Sequence, residues 1–217
     1  IIYDVYNKGQ IGDEEFNYYA RHVGGIVGRL SGDVEKAYNT GDIYNNDTVV
    51  GGIAGWWYKG NINNAFNTGN ITAITATELQ VGGLVGAAGA NANNLTNAYN
   101  LGTIRGYQQA DSQDIYLGGI VGKAANLSID NVYTLGNLYA GRGSGTYNKV
   151  DYSGVGYIYG GNNNQNIDVD NSYYITSEDT NSFSKGNGNG ATSVDFGNRY
   201  AKNSYGKFSF STQTGGI

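Results

Sequence analysis

The chain has 217 residues and a formal net charge of −5, with 36 Gly and with no Pro, Cys or Met. This length allows one domain with a substantial core. The absence of Cys excludes disulfide scaffolds, thiolate metal sites and cysteine nucleophiles, and His22 is the single histidine. Charged residues make up 14% of the chain, well below the usual fraction of about 25%, so titratable chemistry is scarce.

The first residue and the distribution of charge narrow the class further. The chain begins with Ile1 rather than Met, which indicates a fragment or a processed product. Its longest weakly polar run, residues 81–90, is far shorter than the roughly 20 residues that span a bilayer, so we expect no membrane span. The 13 Lys and Arg are scattered, so we expect no nucleic-acid partner.

The first repeated element is a six-residue segment that we call the glycine box. Each copy has an apolar residue, two glycines, two apolar residues and a final glycine. Copies occupy residues 23–28, 50–55, 81–86 and 117–122, and their starts lie 27, 31 and 36 residues apart. The chain is therefore a repeat of about thirty residues with insertions between copies.

A second element, the aromatic box, alternates strictly with the glycine box. It has an aromatic residue, then Asn in four of the five copies, and Gly at its fourth position. The copies begin at Tyr6, Tyr38, Phe66, Tyr99 and Tyr133. One repeat therefore contains one box of each kind.

Apolar residues keep three fixed offsets from each aromatic residue. They lie four residues before it, one residue before it and five residues after it. The columns are Ile2, Val34, Ile62, Leu95 and Ile129; Val5, Ala37, Ala65, Ala98 and Val132; and Ile11, Ile43, Ile71, Ile104 and Leu138. Asn and Gly interrupt these short runs, which favours strands over helices. The pattern predicts an all-β parallel β-helix (β-solenoid) of five or six coils around one continuous core, right-handed as parallel crossovers usually are.

Stacked coils place equivalent side chains over one another. We therefore predict a ladder of side-chain amides from Asn7, Asn39, Asn67 and Asn100, and a column of stacked aromatic rings. Whether that column faces inward or outward stays open. A corner near Lys36 would turn it outward, which is the orientation we favour.

The repeat weakens after Leu138. Residues 155–160 resemble a degraded glycine box, and residues 169–174 keep the offsets of the aromatic box, so we expect a final coil there. We predict a solenoid over residues 1–176 and an irregular cap or flexible tail over residues 177–217. The cap is favoured because solenoid ends need covering, and uncovered ends would permit self-association.

The alternation of the two boxes resembles the GLUG repeats of large bacterial surface proteins, which include adhesins of the filamentous haemagglutinin type. Residues 171–176 are similar to the segment that often ends such arrays. The resemblance covers residues 1–176. It implies export as part of a long extracellular protein, a shaft at the bacterial cell surface, and contact with host cells, other bacteria or matrix. It brings no catalytic residues.

Residues 56–58, Trp-Trp-Tyr, form the densest aromatic cluster. Consecutive side chains of an extended segment point to opposite faces, so at least one large ring should meet solvent. Trp56 and Trp57 are therefore candidate contacts for a protein or glycan partner. Packing of one ring in a corner is the alternative, and the pair Tyr18 and Tyr19 has the same two interpretations.

Catalytic groups are few. Asp168 and Asp170 project from one face of a predicted strand, as a glycosidase pair would, but they flank Val169 of an inward column and are expected to face solvent. His22 has no recognisable Ser and Asp partners. We expect no catalytic residues and no enzyme activity.

Asp42, Asn45, Asn46 and Asp47 supply oxygen atoms within one loop, but not with the spacing of an EF-hand. Residues 186–190 lack the Asp and apolar positions of calcium-binding nonapeptides. We expect neither a metal nor a cofactor.

Glycosylation sequons are present in the number that chance predicts, about four for this content of Asn, Ser and Thr. They therefore leave glycosylation open. The sequons are at Asn46, Asn70, Asn94 and Asn126.

Together these features predict a stiff structural and adhesive segment of a secreted surface protein. The alternative is a carbohydrate-binding module or a carbohydrate-active β-helix enzyme. An enzyme needs a groove with clustered carboxylates, whereas a shaft shows an even face rich in Asn and Thr.

Overall fold

A computed structural model of the chain describes residues 1–13, 15, 20–109, 114–142, 154–162, 166–176 and 191–195. In these ranges the regular structure consists of β-strands, without a helix. The strands are β1 (Ile2–Asn7), β2 (His22–Gly24), β3 (Val27–Ser31), β4 (Val34–Asn39), β5 (Ile43–Asn45), β6 (Val49–Gly51), β7 (Ala54–Asn67), β8 (Ile71–Thr75), β9 (Leu79–Gly82), β10 (Val85–Asn100), β11 (Ile104–Gln108), β12 (Ile115–Gly118), β13 (Val121–Ala124), β14 (Leu127–Thr134), β15 (Leu138–Arg142), β16 (Val155–Gly156), β17 (Tyr159–Asn162), β18 (Ile167–Asp170), β19 (Tyr173–Thr176) and β20 (Thr192–Asp195). The part of the chain described here therefore holds no helix that could cross a membrane.

The strands form three parallel sheets. Sheet A has the order β1-β4-β7-β10-β14-β19-β20, with β3, β13, β17 and β18 paired beside this path. Sheet B has the order β15-β11-β8-β5, and sheet C has the order β16-β12-β9-β6-β2. From β2 to β17 the chain passes repeatedly through sheets C, A and B in that sequence, which is consistent with the predicted parallel β-helix.

The predicted inward columns are in register. Val34 pairs with Ile62 and Ile62 with Leu95 along sheet A, and each of these side chains is buried. In sheet B, the column that lies five residues after each aromatic residue runs in register through Ile43, Ile71, Ile104 and Leu138, all with no exposed surface. From the second repeat onward the positions predicted from the repeat offsets are therefore core positions, and Ile2, Val5 and Ile11 of the first repeat are partly buried.

The core itself differs from the expected single cylinder, because its buried apolar side chains form two main clusters. Ile53 and Ile62 belong to one cluster, and Val50 and Ile71 to the other. The glycine box crosses between them, and a Cβ built on Gly52 would lie 2.5 Å from Cγ of Asn67. The second glycine of the box, which is Gly52 here, lets the backbone approach the Asn ladder, and this contact separates the two clusters.

A corner reverses the side of the chain just before each aromatic residue. One residue per repeat, two positions before the ring, has a positive φ, as Lys36 does at 57°. The others are Asp4, Asn64, Asn97, Asn131 and Asn171. Beyond this corner, Ala37 and Asn39 are fully buried while Tyr38 between them is partly exposed, so the aromatic column faces outward.

The weak copies near the C-terminus continue the same columns. Val155 pairs with Leu117 of the last clear glycine box, and Tyr173 pairs with Tyr133. Strand β20 extends sheet A by pairing in parallel with β19, although the sequence showed no register there. Residues 177–190, which include 186–190, and residues 196–217 lie outside the described ranges.

Candidate functional site

The glycine boxes create a cleft on the outside of the molecule. A Cβ on Gly51 would lie 2.2 Å from the Ala54 oxygen and 2.6 Å from the Gly86 nitrogen, and a Cβ on Gly86 would lie 2.7 Å from the Val50 nitrogen. Gly51 and Gly86 point outward because the neighbouring Val50 and Val85 are buried. The outer faces of sheets C and A therefore touch at these glycines and form the floor of a cleft.

The residues that flank each glycine box line the two walls. On sheet C, the residue before each box gives the column His22, Val49, Gln80 and Tyr116. On sheet A, the residue after each box gives the column Arg29, Trp56, Ala87 and Lys123. Because Ala87 carries only a methyl group, its wall recedes beside Trp56.

Side chains bridge the walls on both sides of this recess. The ring centroids of His22 and Trp56 lie 5.9 Å apart. Nζ of Lys123 lies 4.3 Å from the centre of the Tyr116 ring and donates a hydrogen bond of 3.0 Å to Oε1 of Glu78. The concavity on the Trp56 side has a volume of about 330 Å³. It is lined by Trp56 of sheet A, by Gln80 of sheet C, and by Thr48 and Glu78, which lie just before strands of sheet C. It is large enough for one small ring.

The end of the cleft near His22 has a positive local field. Partial burial lowers the pKa of His22, and the charges of Arg21 and Arg29 lower it further, while Asp47 opposes them. At the other end, burial raises the pKa of Tyr116 to about 12, with a smaller contribution from its hydrogen bond to Asp114. Neutral imidazole and neutral phenol are therefore the forms present at neutral pH.

The structure separates the two candidate tryptophans. Trp57 is fully buried in a core cluster, so its interpretation as a partner contact was wrong: it points inward between two outward side chains. Trp56 is partly exposed in the cleft, and Tyr58 is 42% exposed on the same strand. Tyr18 and Tyr19 lie outside the described residues. Among the proposed aromatic contacts, Trp56 is the one that the cleft presents.

The candidate acids lie on an exposed strand face. Asp168 and Asp170 are exposed on either side of Val169, which is 6% exposed, as expected for an outward strand face. His22 packs beside Trp56 rather than with them. The structure therefore places Asp168 and Asp170 together on β18 and His22 on β2.

In the loop proposed as a source of metal-binding oxygens, residues 42–47, the side chains of Asp42, Asn45 and Asp47 form hydrogen bonds within the protein. Oδ1 of Asp42 accepts from the Asn70 nitrogen, and Oδ1 of Asp47 accepts from the Thr48 nitrogen. The Asn45 amide is buried and bonds to the backbone of Ala20 at 2.9 Å and 3.3 Å. No group of three His, Asp or Glu suited to a metal occurs in the described part of the chain.

The sequons differ in exposure. Asn70, Asn94 and Asn126 are exposed and Asn46 is partly exposed. Two of the exposed amides have partners: Nδ2 of Asn94 donates to Oδ1 of Asn61, and Oδ1 of Asn70 accepts from the Thr103 nitrogen. Glycosylation stays open.

Sequence reasoning missed the cleft and most of its lining. The flanking residues differ in every copy, so they form no compositional column. The available signal was positional: each pair brackets a glycine box at the same offset, as His22 and Arg29 do.

The model of the GLUG motif matches residues 19–44, which contain one glycine box and the aromatic box that follows it. No curated protein and no solved structure matches the chain. The remaining boxes pair in register with this repeat along sheets A and C. The chain therefore contains a GLUG motif, and its other boxes repeat the same pattern.

Proposed function

We propose that this chain is a structural and adhesive segment of a large secreted bacterial surface protein, without catalytic activity. It forms a stiff shaft, a right-handed β-helix of five or six coils and about 25 Å in length at ~4.8 Å per coil. Its outer surface contacts cells or matrix. The GLUG motif supports the extracellular location, because the repeats it resembles belong to surface proteins.

The observation that carries the shaft role is a ladder of side-chain amides, fully buried at Asn39, Asn67 and Asn100. Nδ2 of Asn7 donates to Oδ1 of Asn39 at 2.8 Å, Asn39 donates to Asn67 at 2.7 Å, and Asn67 donates to Asn100 at 2.8 Å. These bonds add to the backbone bonds between the same strands. Separating or bending neighbouring coils would break both sets in a site that water does not reach, which makes the coil stack stiff.

The aromatic column reinforces the same contacts from outside. Four successive ring pairs are stacked, with centroids 4.8–5.2 Å apart and interplanar angles of 11° or less. Beside it runs an outer row of polar side chains that includes Asn63, Thr96 and Asn97. An even face rich in Asn and Thr supports a shaft rather than an enzyme groove.

Two measurements on the parent protein and on this segment test the proposal. Antibodies raised against the segment should label intact cells that produce the full parent protein, and surfaces coated with the folded segment should retain host cells, bacteria or matrix. The segment should also resist limited proteolysis across residues 20–109. Labelling only after cell lysis, or no retention of any of these partners, would contradict the proposal.

A further inference from the structure

We propose that the cleft beside Trp56 binds a saccharide that carries a carboxylate, with the sugar ring stacked on the indole. This inference rests on the proposed adhesive function and names the chemistry of its partner. It concerns one recess, between the His22–Trp56 pair and the Lys123–Tyr116 pair.

The recess presents an aromatic surface in a fixed orientation. The strand position of Trp56 is set by the neighbouring Trp57, which is fully buried in the core. A Cβ on Gly89 would lie 3.5 Å from Cζ2 of Trp56, so the indole is backed by the next part of sheet A. A rigid, partly exposed indole gives a sugar ring an apolar surface to stack on at a low cost in conformational entropy.

Polar side chains surround this aromatic surface. Glu78 is held by Lys123 and by the side-chain amide of Gln80, and Thr48 lies on the same wall of the concavity. Hydrogen-bonding groups that are already oriented favour a polyhydroxylated ligand. The volume of about 330 Å³ fits one pyranose ring rather than a folded peptide.

The charge near Trp56 favours a carboxylate on that ring. Arg21 is exposed and lines the concavity. Arg29 is exposed on the other side of Trp56, and the charges of both arginines act on His22. The guanidinium of Arg is suited to a bidentate bond with a carboxylate. The chain as a whole carries a net charge of −5, which repels acidic ligands. The local positive field should therefore attract a carboxylate to this recess rather than to other parts of the surface.

Another concavity, about 460 Å³ along Asp33, Asn61 and Asn94, is less suited to a ligand. Oδ1 of Asp33 accepts from both the nitrogen and Nδ2 of Asn61, and Asn61 accepts from Asn94. These groups already satisfy one another.

The test is an array of carboxylate-bearing glycans, with uronic and sialic acids, printed beside neutral glycans of matched length. The probe is the folded, labelled chain. We expect binding to at least one acidic glycan, and at least tenfold weaker binding to its methyl ester, a change of about 1.4 kcal/mol. Binding to no acidic glycan, or equal binding to the ester, would overturn the proposal.

Variants assign the binding to the cleft. Trp56→Ala should lose at least about tenfold in affinity, Trp56→Phe should retain part of it, and Arg21→Gln should lose several-fold along with the preference for the acid over the ester. Tyr6→Ala is the matched control, because Tyr6 is an exposed aromatic residue at the end of the aromatic column, and it should bind as the unaltered chain does. Circular dichroism must show that each variant is folded. Unchanged binding by folded Trp56→Ala would overturn the assignment.

The outcome separates this inference from the proposed function. If the segment still retains cells while excess acidic glycan does not compete, the adhesive role stands and the saccharide site is wrong. If the segment retains no cells although it binds the glycan on the array, the saccharide site stands and the adhesive role is wrong.

Discussion

A row of Asn side chains runs along the inside of this molecule, and a row of mixed polar side chains runs along the outside. The inner row includes Asn67, whose amide makes three hydrogen bonds, to Asn39, Gly69 and Asn100, at 2.7–2.8 Å. The outer row includes Asn63, whose amide also makes three, to Glu35, Thr96 and Asn97, each at 2.8 Å. The bonds match in number and length, but Asn67 is fully buried and Asn63 is partly exposed.

This difference indicates that burial, rather than the ladder pattern, decides how much each row contributes to the free energy of unfolding. Water can replace the partners of an exposed amide, so the net value of its hydrogen bonds is small. A buried amide that loses a partner keeps the full cost of desolvation. The inner row should therefore hold the coils together, whereas the outer row should mainly shape the surface.

The largest change in stability should come from adding a side chain where the glycine box packs against the inner row of Asn. In Gly52→Ala, the new Cβ would lie 2.2 Å from the Gly83 oxygen and 2.5 Å from Cγ of Asn67, so backbone must move. We expect a loss of about 3 kcal/mol in the free energy of unfolding, measured by denaturant titration. Gly89→Ala is the control, because its Cβ would meet only ordinary contacts at 3.5 Å or more, and it should change stability by less than about 1 kcal/mol. Equal effects would show that the glycine box does not pack against the ladder.

The next effect compares the two rows directly. Asn67→Ala leaves the amides of Asn39 and Asn100 with missing partners in the buried interior, and should cost about 2–3 kcal/mol. Asn63→Ala removes the same number of bonds at the surface and should cost less than about 1 kcal/mol. Thermal and denaturant unfolding of both variants check this. A cost for Asn63→Ala as large as that for Asn67→Ala would refute the distinction.

The end of the inner row offers a stabilising change. Thr134 takes the place of Asn above Asn100, and its Oγ1 is buried without a hydrogen-bond partner in the described structure. Thr134→Asn should extend the ladder by one amide and raise the free energy of unfolding by about 1 kcal/mol. The side chain must fit beneath Tyr174, its register partner in β19. A loss of stability would mean that the larger amide does not fit under that ring.

The smallest effect concerns pH, which should act only through the outer surface because the inner amides do not titrate. The pKa of His22 is lowered in the folded chain, chiefly by burial and then by Arg21 and Arg29. The unfolded chain therefore binds the proton more readily, and stability should fall slightly as the pH drops below about 6.5. Unfolding curves between pH 7.5 and about 5 should show this decrease, and His22→Gln should remove it. A decrease that survives in His22→Gln would assign it to carboxyl groups.

The buried columns could be predicted from the sequence, because stacked coils place the same kind of residue at the same position of every repeat. Ile43, Ile71 and the Asn ladder follow from fixed offsets alone. The separation of the core into two clusters did not, because it depends on contact between Gly52 and Asn67, which no local pattern shows. The orientation of the aromatic column also needed the structure, since the corner residue varies and Lys36 is an unusual residue at positive φ.

The candidate site was harder to predict than the fold. The cleft is lined by residues that change from copy to copy, such as Val49 and Gln80 in one column. A search for repeats relies on positions that stay the same from copy to copy. A binding site on a repetitive scaffold consists instead of the positions that vary. The alternation rule identified the Trp56–Trp57 pair as worth attention, but only burial decided which ring faces out.

The most direct test of the central claim is an NMR measurement of contacts between the side-chain amides of Asn39, Asn67 and Asn100. These residues lie 28 and 33 positions apart in sequence, yet their amides bond in consecutive coils at 2.7 Å and 2.8 Å. We expect nuclear Overhauser effects from Asn39 to Asn67 and from Asn67 to Asn100, with slow exchange of these amide protons with solvent. Rapid exchange and no such effects in the folded chain would contradict the account.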